Sequence, residues 1–529
     1  MRSEEEVIDE AETRESVARG CAPKPLGQRD AWWKGGTAMV MWIALGTVFV
    51  HLLTGGRYGF DRDELMVLDD ARHLAWGYVA YPPMTPFFGR IALVLFGTSL
   101  AGFRFFAAVA HAIALVVTGL AAKEMGGQKW AQVTATVAGV PYCLGCGALM
   151  QYMSFDYVCW VLVAYSMVRL LGSEDARWWL GVGAGIGLGM MAKYTMGFLA
   201  AGVVAGTLLP GTRKYLRSGW LWGGVFLAAG IFLPNFLWQW QRSFISLEFL
   251  RFIHDRDVQI GLTDWFLPGQ VELTLMAFPL AVAGLYFFWF AEKGRRFRAL
   301  GWMYAVPLLL FLVMRGRNYY LAPRYPMLYA AGAVWAEEWL KRLGQGSARR
   351  VRTAVWVVLL ADVVVGAAVA LPIAPVSSAW WKLAVQVDTV LPEEIGWQEL
   401  AETVGQVWNR LPMEERQRAG ILVGNYGEVG ALNLYGETYG LPRAISGVNS
   451  SWERGYGNSA GGPGPETVIV VGYSRKFLEK HFCSCELAAH TWNRQGVENE
   501  ETMESPDVFV CRGLKESWEE FWRGMRRFA

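Results

Sequence analysis

The sequence predicts a mainly α-helical, polytopic membrane protein with a C-terminal α/β domain, and three observations carry that prediction. Apolar residues gather in about eleven runs close to the twenty residues that a hydrocarbon core demands. Hydrophobic residues make up 53% of the 529, with 26 tryptophans, a content soluble domains rarely carry. After Pro372 the runs shorten while Asp, Glu, Gly and Pro rise. The formal net charge of +2 offers nothing to a nucleic acid, which is excluded as a partner.

Residues 1–36 are polar, open on the acidic run Ser3-Glu4-Glu5-Glu6 and show no cleavable leader, so they read as a disordered cytoplasmic tail. The membrane portion covers 37–375. Its apolar segments fall at 37–54, 99–121, 130–149, 156–171, 178–192, 194–210, 219–240, 268–290, 299–314, 321–337 and 353–371. Only Lys193 separates the fifth from the sixth, and that pair reads equally as a hairpin turning at the membrane boundary. Basic residues concentrate in loops 211–218, 291–298 and 338–352, all on the N-terminal side of an eleven-span count, which makes that side cytoplasmic. The opposite face then carries the first outer loop, 55–98, the loops 242–267 and 315–320, and the domain 376–529.

Within that domain Ile421–Val423, Val468–Val471 and Val508–Val510 read as buried strands, alternating with helical patterns at 397–409, 428–435 and 475–481. Ser459–Pro465 is rich in Gly and Pro. Cys483, Cys485 and Cys511 permit one disulfide, with the pairing open. Cys143 and Cys146 form a C-x-x-C inside an apolar run, where small, soft helix residues are the simpler account.

Candidate chemistry concentrates in Tyr58–Arg90, an acid-rich stretch between two spans. As a helix from Asp63 to Trp76 it sets Asp63, Asp69, Asp70 and His73 on one arc, either facing a cavity or solvated at the membrane surface. Arg72 and His73 are candidate cavity residues. Asp156 opens the fourth span, where an acid serves function or caps the helix. Lys193 is the one charge between Arg177 and Arg213, placed to hold a phosphate or to snorkel. The loop Arg315–Tyr320 offers Arg317 and Tyr320, also suited to phosphate. His254, among mixed charges, is a candidate cavity residue or a surface histidine.

The runs Phe60-Asp61-Arg62-Asp63-Glu64-Leu65, Ala71–Val79, Pro82-Pro83, Met153-Ser154-Phe155-Asp156, Ala192-Lys193-Tyr194, Leu233–Gln239 and Arg315–Pro326 together resemble bacterial family 39-type glycosyltransferases. These are relatives of protein O-mannosyltransferases and of the lipid A aminoarabinose transferase. The resemblance implies a GT-C fold and inverting transfer of a sugar from a polyprenyl-phosphate donor to an acceptor outside the cytoplasm, in the bacterial inner membrane. It also assigns catalytic roles to Asp63, Glu64 and Asp156, and donor-phosphate contacts to Lys193, Arg317 and Tyr320. Ala80-Tyr81 stands where relatives carry a polar residue, which leaves a bound divalent metal undecided. The rival class is a transporter or lipid flippase with an outer sensor domain, against which stands the absence of an internal repeat.

Overall fold

The structure, a computed structural model, describes residues 35–457, 463–504 and 506–529. The expected tail 1–36 therefore lies outside the described residues except for its last two, as does part of Ser459–Pro465. Helices α1 (Gly36–Thr54), α2 (Arg62–Arg72), α3 (Met84–Phe96), α4 (Leu100–Glu124), α5 (Lys129–Cys146), α6 (Tyr152–Ser173), α7 (Trp178–Ala192) and α8 (Met196–Thr207) come first. They are followed by α9 (Gly219–Gln241), α10 (Ile245–Gln259), α11 (Phe266–Thr274), α12 (Phe278–Trp289), α13 (Arg298–Val313), α14 (Tyr325–Lys341) and α15 (Gln345–Ala370).

Among the described residues, seven helical segments are long and apolar enough to cross a membrane. The other expected spans lie on α5, α7, α8 and α14. Of these, α5 and α14 are buried along most of their length, so they face protein rather than lipid and need less apolar character. At the rim the reverse holds: α15 buries only Leu359 and Asp362. Without a hydrophobic drive between helices in lipid, close approach through small residues supplies the packing. A Cβ on Gly183 of α7 would lie 2.1 Å from the Gly224 carbonyl oxygen of α9.

The three basic loops meet at one end of the bundle. Lys214 pairs with Glu174 at 2.9 Å, Arg296 donates to the Leu171 carbonyl at 3.0 Å, and Lys293 pairs with Glu338. The other end carries the loop 55–98, which holds two helices rather than one. α2 is shorter than expected and stops at Arg72, and α3 is an added apolar helix.

The C-terminal domain sits on that end. Its strands β1 (Ala419–Val423), β2 (Ala444–Ile445), β3 (Thr467–Val471), β4 (Phe482–His490) and β5 (Asp507–Leu514) form one sheet in the order β2-β1-β3-β5-β4. β2, β1 and β3 are parallel; β5 and β4 run antiparallel to their neighbours. Helices α16 (Ala379–Val387), α17 (Trp397–Arg410), α18 (Tyr426–Tyr435), α19 (Asn449–Glu453), α20 (Arg475–His481) and α21 (Trp518–Gly524) complete it. β3 is buried on both faces, which is why it reads as an unbroken apolar run. Cys485 and Cys511 stand opposite each other on β4 and β5 and form the disulfide.

α18 crosses α2 at Gly430, where a Cβ would meet the Leu65 carbonyl oxygen at 2.4 Å. Around this crossing the domain seizes the second half of α2. Arg454 pairs with both Asp69 and Asp70, Asn433 Nδ2 donates to Asp69 at 2.9 Å, and Tyr81 donates to Asp70 at 2.6 Å. Asp69 and Asp70, expected on a cavity-facing or solvated arc, are instead buried beneath the domain. Removing one partner of a buried ion cluster leaves uncompensated charge, at a cost of about 3–5 kcal/mol. Arg454→Met is therefore expected to lower the thermal unfolding midpoint and open the 376–529 domain to trypsin. Adding Asp69→Asn and Asp70→Asn should restore much of the loss; a triple variant no better than the single would contradict the latch.

Candidate active site at the domain junction

The site is built on the first turn of α2. Asp61 accepts from the Asp63 N–H at 2.8 Å, and Glu64 accepts from the Asp61 N–H at 3.0 Å, a capping box that the Asp-x-x-Glu spacing encodes. Glu64 is fully buried and also accepts from Arg104 Nη2 at 2.7 Å and from the Met150 N–H at 2.8 Å. Both oxygens of Glu64, expected as a catalytic residue, are thus engaged within the turn that carries Asp63.

Asp63 stays half-exposed, and its Oδ1 accepts from the Tyr426 hydroxyl at 3.0 Å. Tyr152 and Tyr319 stand within its electrostatic reach. The same two rings, with Tyr320, surround Lys193. Its ammonium lies 4.2 Å from the Tyr320 ring centre, 5.0 Å from that of Tyr319 and 5.1 Å from that of Tyr152. Such cation–π contacts hold an ammonium in a desolvated place without neutralising it. Lys193 occupies the extended break between α7 and α8, so the residue that divides two apolar runs in the sequence turns into the bundle here.

Asp156 lies one turn inside α6, whose N-cap is Gln151, so capping does not explain it. Trp160 Nε1 donates to its Oδ1 at 2.8 Å and Thr195 Oγ1 to its Oδ2 at 3.4 Å. Two cations act on it, Lys193 and Arg324. Arg324 is buried, its guanidinium 4.0 Å above the Trp160 ring, with no hydrogen-bond partner on any of its three nitrogens. Arg317 is brought to the same place but is held by a buried acid, Asp257, with its Nε and Nη2 at 2.5 and 2.6 Å from the two oxygens.

The structure thus gathers Asp63, Asp156, Lys193, Arg317 and Tyr320. It does not bring Arg72, His73 or His254 to them. Arg72 donates to the Asn433 carbonyl at 2.6 Å, and its nine-residue offset along α2 sets it about 14 Å from Asp63. His73 and His254 are exposed. Sequence reasoning missed Arg104, Asp257, Glu394, Tyr426 and Arg454. Arg104 had a usable signal, a charge inside an apolar span. Tyr426 and Arg454 had none, because their roles depend on how a distant domain docks.

Beside the polar cluster runs an apolar groove of 820 Å³. Its walls include Trp76 and Phe88 of the loop, Phe106 of α4, Phe155 and Leu162 of α6 and Met191 of α7. Phe155, on its wall, adjoins Asp156 in the chain. Among the described residues, no group of three His, Cys, Asp or Glu side chains is arranged to hold a metal ion. Asp61, Glu64, Asp69 and Asp70 are already engaged, so this donor set does not fit a divalent metal.

Residues 80–238 match the family model of dolichyl-phosphate-mannose-protein mannosyltransferases. ArnT from Cupriavidus metallidurans bound to undecaprenyl phosphate is similar in structure, with a TM-score of 0.54 at 16% identity, over 89% of this chain and 97% of that one. The apo state of that ArnT gives 0.56 at 14% identity over the same shares. No curated protein matches the chain in sequence. The fold is accordingly of the GT-C type, with a small C-terminal sheet domain.

Glu394 of the C-terminal domain also reaches Arg104, at 3.1 Å, so two acids face one guanidinium. Burial pushes Glu394 up to about 7, against the opposing pull of Arg104. A carboxyl with a higher pKa folded than unfolded takes up a proton on folding. Its stabilising share is full below the ordinary value of 4.5 and is lost as the pH rises through about 7. Thermal unfolding from pH 5 to 8 is expected to show stability falling with pH, and Glu394→Gln should remove roughly 3 kcal/mol of that fall. An unchanged slope in the variant would count against it.

Proposed function

We propose that this protein is an inverting glycosyltransferase that takes a sugar from a polyprenyl-phosphate donor and passes it to an extracytoplasmic lipid, glycan or protein. It would sit in the bacterial inner membrane with its N-terminus cytoplasmic. The gathering of the basic loops at the bundle end away from the C-terminal domain supports that orientation. The observation that carries the reading is a half-exposed carboxylate, Asp63, sharing tyrosines with a caged ammonium, Lys193, in a bundle that also holds an apolar groove. That is the arrangement a lipid-linked phosphate sugar and a hydroxyl acceptor require.

In this reading the isoprenoid chain lies in the groove and the phosphate meets Lys193, Tyr320 and the edge of Arg317. The acceptor oxygen attacks the anomeric carbon from the face opposite the phosphate, and Asp63 takes its proton. The bond from the anomeric carbon to the phosphate oxygen breaks, and the polyprenyl phosphate leaves as an anion that the cations stabilise. A single displacement inverts the configuration. Asp156 orients the cations rather than acting on the sugar, because Trp160 and Thr195 already hold its oxygens. Tyr426 keeps the Asp63 carboxylate aimed at the acceptor.

Transfer of labelled sugar from a polyprenyl-phosphate donor in membranes tests the reading. Asp63→Asn should lower kcat by about 10²–10⁴-fold with the protein still inserted, the range expected for loss of a general base. Full transfer by this variant would remove Asp63 as the base. Tyr426→Phe loses one hydrogen bond to a charged group and should lower kcat roughly tenfold with the donor KM unchanged. A rise in donor KM alone would instead place Tyr426 on the donor side.

A further inference from the structure

The last two turns of α9 carry two buried amides, Asn235 and Gln239, on a helix otherwise buried only at Leu221, Gly224 and Trp238. Polar groups inside a span are expensive and usually serve a purpose. One turn apart, the two amides share a face and converge on one phenol. Gln239 Nε2 donates to the Tyr194 hydroxyl at 2.8 Å, and that hydroxyl donates to Asn235 Oδ1 at 3.1 Å. Asn235 Nδ2 donates in turn to the Trp76 carbonyl at 2.8 Å. Gln239 Nε2 also donates to Ser246 Oγ at 2.6 Å, and Ser246 Oγ to the Tyr78 carbonyl at 3.0 Å. Between those two carbonyls the loop is pressed onto α9, since a Cβ on Gly77 would lie 2.6 Å from the Trp238 ring. The network thus closes on backbone of the first outer loop, at Trp76 on the groove wall.

The phenol it clamps is next in the chain to Lys193. Lys193 is extended, with φ of −156° and ψ of 138°, and neighbours in extended backbone point to opposite sides. The Lys193 ammonium therefore goes to its aromatic cage while the Tyr194 ring goes to α9. Thr195, the next residue again, reaches Asp156. An ammonium is a point charge on a flexible four-carbon stem, so the rings alone do not fix where it rests. The backbone of the break does, and the Tyr194 hydroxyl pins that backbone to α9. Packing alone needs only the ring, which meets Phe232 edge-on at 6.4 Å.

We propose that Tyr194, clamped by Asn235 and Gln239, is a positioning residue for the donor phosphate and acts through Lys193. The role rests on the polyprenyl-phosphate reading of the site.

Native mass spectrometry of the full-length protein in detergent, with undecaprenyl phosphate and undecaprenol as probes, reads the preference for phosphate over hydroxyl without turnover. The wild type should prefer the phosphate. Tyr194→Phe should lower that preference about fivefold, the worth of one hydrogen bond, with undecaprenol binding unchanged. Made on Lys193→Met, the same change should shift it by less than about twofold, because the hydroxyl acts through the ammonium. An equal loss for both probes, or the same loss on either background, marks a packing role and overturns the proposal. An undiminished preference in Tyr194→Phe also overturns it. Gln239→Met withdraws one donor from the hydroxyl and decides the matter in the same way if Tyr194→Phe does not insert. A wild type that binds the two probes equally overturns the polyprenyl-phosphate reading, and this role with it.

Discussion

The Arg104 guanidinium is the contact on which the arrangement of the site depends. It is buried in the bundle and uses all three of its nitrogens. Nε and Nη2 go to Glu64, Nη1 to the Gly55 carbonyl at 3.1 Å, and Nη2 also to the Gly59 carbonyl at 2.9 Å and to Glu394. One side chain thus ties the end of α1, the first turn of α2 and the C-terminal domain to α4. Glu64 extends the tie to the entry of α6 through the Met150 N–H. In a low-dielectric interior a charge this well engaged is held by every partner at once, and loss of any one leaves the rest exposed to the desolvation cost. Asp63 owes its position to this hub although it does not touch it.

The C-terminal domain is part of the same construction rather than an appendage. Tyr426 reaches Asp63 from α18, Arg454 closes over Asp69 and Asp70, and Glu394 completes the hydrogen bonds of Arg104. Apolar continuity reinforces the polar ties: Leu65 of α2, Trp397 of α17 and Val429 of α18 belong to the same buried cluster as the membrane helices. A domain that could be shed would show solvated polar contacts at its base; this one shows buried ion clusters and a glycine crossing.

Much of this was legible before any coordinates. The eleven apolar runs fall on helices, with 268–290 divided between α11 and α12, because hydropathy is set locally, by the solvent each segment faces. The strands around Ile421, Val468 and Val508 followed from short, doubly buried apolar runs. Asp63, Asp156 and Lys193 stood out as charges at span boundaries. What stayed hidden was pairing across long sequence separations. Glu64 looked like a partner for Asp63 because the two are adjacent, yet successive helix positions point about 100° apart, one into the core and one toward the cavity. Asp69 and Asp70 looked solvated because nothing in their own segment announces Arg454, far along the chain. Arg317 looked free because Asp257 sits inside a run of mixed charge that reads as surface.

The charge balance of the bundle site bears on which ligand it suits. Lys193, Arg317 and Arg324 supply three positive charges against Asp63, Asp156 and Asp257, a balanced set in which Arg317 is paired with Asp257 and Arg324 has no hydrogen-bond partner. A phosphodiester of the kind proposed would bring its one negative charge to the Lys193 and Arg324 end, where two cations face the single acid Asp156. In the proposed transfer the departing phosphate gains negative charge as Asp63 gains a proton, so the site's total charge stays constant. Charge then moves over a short distance between groups already oriented to receive it. No counter-ion has to enter, which is the condition under which preorganised groups contribute most to a transition state.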